Sequence, residues 1–442
     1  MTLYKPFILF AVLNLAACGT SPKRSLNEVN SLVSERAGLK LNDTAPDPAA
    51  LLVAPLTADT AARIALARNP AFKTKLEEVG LAQADLTQAG IIENPRLHGA
   101  MRLVGGRSGS QGHELGVKIN LLDLFESPLR RRVASQRLEQ TKSRLGHEML
   151  GLAGEAKTAF YAHVAAAQRL KLRQDSLDSS DAAASLAERQ REAGNINRLD
   201  LANARAAREE AGADLAREEA HAAQARERLA MLLAIQDRTG WTAEPVLPDM
   251  PTTDPAPADV EAAAIEQRWD LQAARRDPQV LKDALAVERL RIFGPIEVGV
   301  DSEREYSGET KYGPEFEVGL PIFERRQASR ARLHAQRRQS LASADALETS
   351  IRYEARTTSA ELASARKTVE AYAKAVPYRR EALTETLKNN NYMLLGVYHL
   401  LEAKRREIEA SSAYVDALKD YWTKRSELER VAGGKLPPAQ GE

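Results

Sequence analysis

The chain has seven histidines along 442 residues, and they do not gather with acids or nucleophiles into a catalytic set. Glu218-Glu219-Ala220-His221 is a single E-x-x-H. Carboxylate di-iron bundles need two such motifs plus further carboxylates, so on an Ala-rich helix this one reads as surface. His147-Glu148 lacks the second histidine of a zinc protease. The run GGRSGSQG has no lysine in the phosphate-loop position, and it joins two strand-like segments rather than a strand to a helix. No Ser/His/Asp set sits on a nucleophile elbow. An enzyme is therefore not expected, nor a cofactor, nor a protein metal site. The polar residues that stand out follow two breaks in long helical stretches. Asp200 comes just after Gly194-Asn195. His399 and Glu402 come just after Asn389-Asn390-Asn391, three residues apart and so on one helical face. Unless something converges them, these are solvated helix residues.

The single cysteine, Cys18, has no partner for a disulfide or a structural zinc site. It follows FILFAVLNLAA, an apolar run behind Lys5 that is too short to span a bilayer and reads as a secretory signal. LAAC resembles the bacterial lipobox, which is cut before the cysteine so that its thiol can be acylated. Gly19, in place of aspartate, implies by the same resemblance sorting to the outer membrane.

Charge is balanced, with 62 basic and 61 acidic residues, so no global field marks a nucleic-acid binder. Aromatics make up only 5% of the chain, and Ala, Glu, Arg and Leu dominate, a composition suited to long helices. Beyond the signal no run of about 18 apolar residues occurs, so no transmembrane helix is expected. A membrane role needs lipid, a β-barrel, or both.

The chain is written twice. ELGVKINLLDLFESPLRRR (114–132) returns as EVGLPIFERRQASR (317–330), with Phe125-Glu126 over Phe323-Glu324. NRLDLANARAAREEA (197–211) returns as VYHLLEAKRREIEA (397–410), and ALARNPAFKTK (65–75) as AIEQRWDLQAA (264–274). The offset stays at about 198 to 200 residues. EPVLPDMPTTDPAPA (244–258), with five prolines, reads as the linker.

Each half has the same order of parts. A helix opens the first half with a Thr57/Asp59 capping signal and ends at Gly90. Two segments of period two follow. Leu97, Met101 and Leu103 oppose Arg96, His98 and Arg102; Leu115, Val117, Ile119 and Leu121 oppose Glu114, Lys118 and Asn120. In the second half Ile296, Val298 and Val300 oppose Glu297 and Asp301, while Phe316, Val318, Leu320 and Ile322 oppose Glu315 and Glu317. Such alternation fits a soluble sheet with one wet face; segments of about nine residues also suit tilted barrel strands, apolar to lipid and polar to a lumen. Then comes a helix from Glu126 to Ala193, roughly 100 Å if unbroken. Leu138, Leu145, Leu152, Ala159 and Ala166 recur every seven residues, as do Leu401, Ile408, Val415 and Trp422, marking coiled-coil seams. Four strands expose two edges and cannot close a pore alone. Eight strands from a dimer or twelve from a trimer are both open at this point.

With these parts in view, the chain resembles the TolC-like outer-membrane efflux proteins from about Leu56 to Gly434. The marks are the duplicated plan, LTADTAARIALARNPAF, QAGIIENPRL, GLPIFERRQASRARLHA and the closing DYWTKRSELERVAGG. The resemblance implies a mainly α fold with a membrane β-barrel. Two tandem repeats, each a β-hairpin plus long helices, would build a homotrimer with a twelve-stranded barrel and a periplasmic α-helical barrel. It implies a passive exit duct that works with a periplasmic adaptor and an inner-membrane RND-type transporter. QAGIIENPRL and the lipobox lean towards the heavy-metal and cation branch. The family usually has proline where Trp269 stands. Expected boundaries are a signal over 1–17, a lipidated segment over 18–56, repeats over 57–243 and 259–436, the linker over 244–258 and a tail over 437–442.

The resemblance also gives the polar residues a place. Gly194, Asn195, Asn390 and Asn391 would form the tips that meet the adaptor. Asp200, His399 and Glu402 would line a threefold constriction inside those tips, where acidic rings concentrate cations. His399 stands where the family usually has an acid. An adaptor-like or coiled-coil interaction lipoprotein is the alternative, although adaptors carry one helical hairpin rather than two.

Overall fold

The computed structural model describes residues 27–29, 31, 54–103, 111–236, 240–305, 308–392 and 394–438. The signal segment and Cys18 lie outside the described residues.

The duplication is visible in the order of elements. The first half runs α1 (Ala58–Arg68), α2 (Pro70–Gly90), β1 (Arg96–Leu103), β2 (Gln111–Asn120), α3 (Leu122–Glu192) and α4 (Arg198–Leu233). The second runs α5 (Pro257–Gln267), α6 (Trp269–Leu290), β3 (Ile296–Arg304), β4 (Thr310–Val318), α7 (Gln327–Asn391) and α8 (Val397–Ala432). At 71 and 65 residues, α3 and α7 are about 107 and 98 Å long.

The opening helix expected over 57–90 is two helices. Pro70 has no N–H and pushes the preceding residue out of the helical region, so the chain breaks at Asn69. Asn69 uses the break: its Oδ1 accepts from the Phe72 N–H at 3.1 Å, and its Nδ2 donates to the Leu232 carbonyl at 3.1 Å. Thr57 starts α1 as expected, in a reciprocal capping box with Thr60. The second half breaks at Arg268 without a proline or a side-chain cap. There Trp269 starts α6 fully packed, and the buried Arg268 pairs with Asp270 at 2.7 Å and with Glu354.

The strands form one antiparallel sheet in the order β1-β2-β3-β4. The register sets Leu97 beside Val117 and Val117 beside Val300, and Ile119 beside Val298 and Val298 beside Phe316. The period-two pattern in β4 was expected to run on to Leu320 and Ile322, but the strand ends at Val318. Pro321 cannot donate to a ladder, and the backbone at Gly319 passes so close to Phe293 that a Cβ there would stand 3.0 Å from its carbonyl oxygen. Leu121 likewise falls outside β2, because Asn120 Oδ1 accepts from the Leu122 N–H at 3.1 Å and starts α3 there.

The main core sits midway along the long helices. Phe160 and Val164 of α3, Ile351 and Leu362 of α7, Leu229 of α4 and Tyr421 of α8 are buried together with α1 and α5. A second cluster packs α2 on α3 with Trp269, and residues 27–29 lie against it, with Val29 buried and Glu28 paired to Lys142 at 2.7 Å. Along the expected seams Leu138, Leu145, Ala159 and Ala166 are buried, as are Ile408 and Val415, while Leu152 is half-buried. The proline-rich linker is not free. Asp254 accepts from Arg366 at 2.7 Å, from Arg425 at 2.8 Å and from the Tyr421 hydroxyl at 2.7 Å, and Trp422 Nε1 donates to the Pro248 carbonyl at 2.8 Å.

Candidate functional site

Two regions are candidates: the sheet, and the helix ends about 100 Å away from it. Strand alternation separates the sheet's side chains by character. Leu97, Met101, Val300, Tyr312 and Phe316 are 62–80% exposed on one face, where nothing among the described residues covers them. The other face is charged. Lys118 Nζ lies 2.5 Å from Glu315 and 3.4 Å from Glu317, and Arg96 is 3.1 Å from Glu297. The His98 ring lies against Gly116, where a Cβ would stand 2.4 Å from its Cε1. In this order β1 and β4 each keep one edge without a strand partner among the described residues. Phe125, Phe293 and Phe323 stand exposed where the sheet meets the helices.

At the far end, the first tip forms as the glycine suggested. Gly194 takes a φ of +78°, a conformation costly for other residues, and its N–H reaches the Arg191 carbonyl at 3.0 Å. Asn195 is exposed beside it, with its N–H on the Gln190 carbonyl at 2.8 Å. The residue that caps α4 is Asn197, whose Oδ1 accepts from the Asp200 N–H at 2.8 Å. Asp200 is therefore in the first turn of α4, half-buried.

The second tip corrects the expectation. Asn389, Asn390 and Asn391 do not make the break; they are the last turn of α7, and the chain leaves the helix only after them, before α8 starts at Val397. Helix hydrogen bonding continues through the asparagines because the N–H of Tyr392 still finds Lys388 at 3.1 Å. Asn390 Nδ2 then donates to the Leu395 carbonyl at 2.8 Å and closes the turn.

His399 and Glu402 line one groove of about 280 Å³ with Arg379, Tyr398 and Arg406; Asp200 is not part of it. Glu402 is not a bare carboxylate. It accepts from Arg405 at 3.0 Å and from Arg406 at 2.8 Å, which hold its carboxyl below the usual range, Arg405 foremost. These partners were missed in the sequence, although their i+3 and i+4 spacing from Glu402 signals them. Glu218, expected on the surface, is buried and paired with Arg169 at 2.9 Å, while His221 is exposed. Among the described residues no group of three His, Cys, Asp or Glu side chains is placed to hold a metal, and no helix is long and apolar enough to cross a membrane.

Comparison with known proteins bears on both regions. A family model described as "Outer membrane efflux protein" matches residues 61–234. No curated protein matches the sequence. A membrane protein from Pseudomonas aeruginosa superposes with a TM-score of 0.74 at 20% identity, over 86% of this chain and 90% of that one. The structure of CusC, described in terms of transmembrane channel formation, gives 0.70 at 16% identity, over 86% and 92%. The open state of the Neisseria gonorrhoeae MtrE outer membrane channel gives 0.69 at 19% identity, over 87% and 91%. At these identities the likeness establishes the fold, and it extends well beyond the residues that the family model matches. Sequence match and fold point the same way: residues 61–234 match the outer membrane efflux protein family model, and the fold over most of the chain is similar to that of outer-membrane channels.

Proposed function

We propose that this protein is the outer-membrane exit duct of a tripartite efflux pump, a passive conduit from periplasm to exterior. The observation that carries this reading is the four-stranded sheet, with one uncovered apolar face and two open edges, mounted on helices of about 100 Å. In lipid every strand must be paired, so copies of the chain close the ring. Eight strands would leave an interior filled by side chains, whereas twelve leave room for solute; this favours a homotrimer. The exposed Phe125, Phe293 and Phe323 then sit at the membrane boundary, as an aromatic girdle does.

Acylation of Cys18 would add a lipid anchor, making the protein an outer-membrane lipoprotein with a large periplasmic part. The tips at Gly194-Asn195 and beyond Asn390-Asn391 would meet a periplasmic adaptor, itself joined to an inner-membrane RND-type transporter. Asp200, His399 and Glu402 would line the constriction behind those tips. An adaptor that binds open tips better than closed ones shifts the population towards open. Cargo, metal cations or drugs, would be chosen by the transporter; QAGIIENPRL and the lipobox support the metal branch. The test is reconstitution of the purified full-length protein into planar bilayers, with migration on gels before and after heating. Discrete conductance and a heat-sensitive oligomer are expected. A protein extracted without detergent, with no conductance, would overturn the reading.

A further inference from the structure

Below the sheet, α2, α3 and α6 border an open trough of about 850 Å³. It continues through Arg137, Gln140, Ala284 and Leu333 into a second one of about 450 Å³, which α7 completes. Arg130, Arg137 and Arg144 stand along its α3 wall at seven-residue spacing, one face of the helix with about 10 Å between neighbours. Their surroundings differ. Arg130 is held by Asp123 at 3.0 Å and by the Ile91 carbonyl at 3.3 Å. Arg137 and Arg144 are exposed and have no carboxylate partner among the described residues.

The facing wall does not supply the missing charge. The α7 residues that line it, Leu333, Gln336, Gln339, Ser340 and Ser343, are all uncharged. Arg330, one turn before Leu333, has a buried Nε without a hydrogen-bond partner. Three acids line the trough: Asp85 of α2 is exposed, Glu288 faces Arg326 at 3.8 Å, and Asp277 accepts from Gln140 at 2.5 Å, so the arginines outnumber them along the α3 wall. Unpaired guanidinium groups in a concave wall focus a positive potential, and their planar forks match carboxylate and phosphate oxygens two at a time.

Depth excludes a lipid headgroup as the ligand. Arg137 and Arg144 lie about 22 and 33 Å along α3 from Leu122, beyond the screening length of about 8 Å from any headgroup at the foot of the sheet. We propose that the trough is a binding site for soluble, multiply charged organic anions in transit, with Arg137 and Arg144 as the primary contacts. The transit rests on the conduit reading; the binding does not. Of the two cargo classes, the trough sides with anionic organic molecules over bare metal cations.

The test titrates the purified full-length protein with inorganic tripolyphosphate by calorimetry, comparing wild type, an R137Q/R144Q double variant and R137K/R144K. Saturable binding that weakens with added salt is expected, at least about tenfold weaker in the glutamine variant and intermediate in the lysine one. Equal affinity in wild type and R137Q/R144Q, or no binding to wild type, overturns the proposal. So does loss of the oligomer in R137Q/R144Q on size exclusion, which would make these arginines a contact between copies. In bilayers, tripolyphosphate should block the wild-type current and block the glutamine variant at least about tenfold less. Current without block in a protein that binds tripolyphosphate would remove the site from the transit path. Binding without any current would sink the conduit reading and leave the site standing.

Discussion

Gly146 lies directly against the indole of Trp269: a Cβ at position 146 would stand 2.5 Å from Cε3 of that ring. The tryptophan at the start of α6 is thus accommodated by a missing side chain on α3. Gly146→Ala should destabilise the protein by about 1–3 kcal/mol, because the ring is packed and cannot retreat. Trp269→Ala should cost about 3–5 kcal/mol through the cavity it leaves. Denaturant unfolding of both variants measures this; a neutral Gly146→Ala would mean that the ring has room to move.

Val117 shares a row with Leu97 and Val300 on the uncovered face of the sheet. If that face meets lipid at mid-membrane, Val117→Arg should destabilise the assembled barrel by about 2–4 kcal/mol per chain. Lowered heat resistance of the oligomer is the readout. Wild-type heat resistance would mean that the face is not in lipid.

The groove at the second tip makes a prediction with two signs. Glu402 is neutralised by Arg405 and Arg406, so Arg405→Ala with Arg406→Ala should bare the carboxylate and raise cation selectivity. Asp200→Ala with Glu402→Ala should lower it, without affecting assembly. Reversal potentials in planar bilayers decide; identical selectivity in all three proteins would remove these residues from the constriction.

His163 offers a test by pH. It sits in the main core region beside Trp241, ring centroids 5.3 Å apart, and its pKa is lowered to about 4, by burial first and then by the charge of Arg226. The unfolded chain takes up this proton near 6.5 and the folded one only near 4, so the unfolded state is favoured in between. Stability from this group is present above about pH 6.5 and lost as pH falls towards 4. His163→Phe should flatten the stability profile between pH 5 and 6.5, as thermal unfolding at several pH values would show; an unchanged slope would assign it elsewhere.

Acylation of Cys18 is checked on the mature protein by mass spectrometry. A diacylglycerol and an amide-linked chain on residue 18 are expected, since one acyl chain alone anchors only marginally. An unmodified thiol there would refute the anchor. Cys18→Ser should still insert, because the strands carry their own apolar area.

Periodicity carried most of what could be read in advance. Alternation at Leu115, Val117 and Ile119, seven-residue spacing from Leu138 to Ala166, and repetition at about 200 residues are local rules, and each names an element without knowledge of its neighbours. Gly194 was legible for the same reason, since a left-handed turn is a property of one residue. What depended on partners distant in the chain was not. Asp254 gave no sign that it would gather Arg366, Tyr421 and Arg425 and tie the linker down, nor Glu218 that Arg169 would bury it. The asparagines at 389–391 suggested a break, yet the helix runs through them, with the Tyr392 N–H still on the Lys388 carbonyl, and Asn390 donates to the Leu395 carbonyl beyond its end. Sequence by itself determined which elements form and which faces are apolar, because those follow from spacing along one strand or helix. Only the tertiary structure decided which charges are neutralised and which, like Arg137 and Arg144, are left unpaired, because pairing depends on what packing brings within about 4 Å.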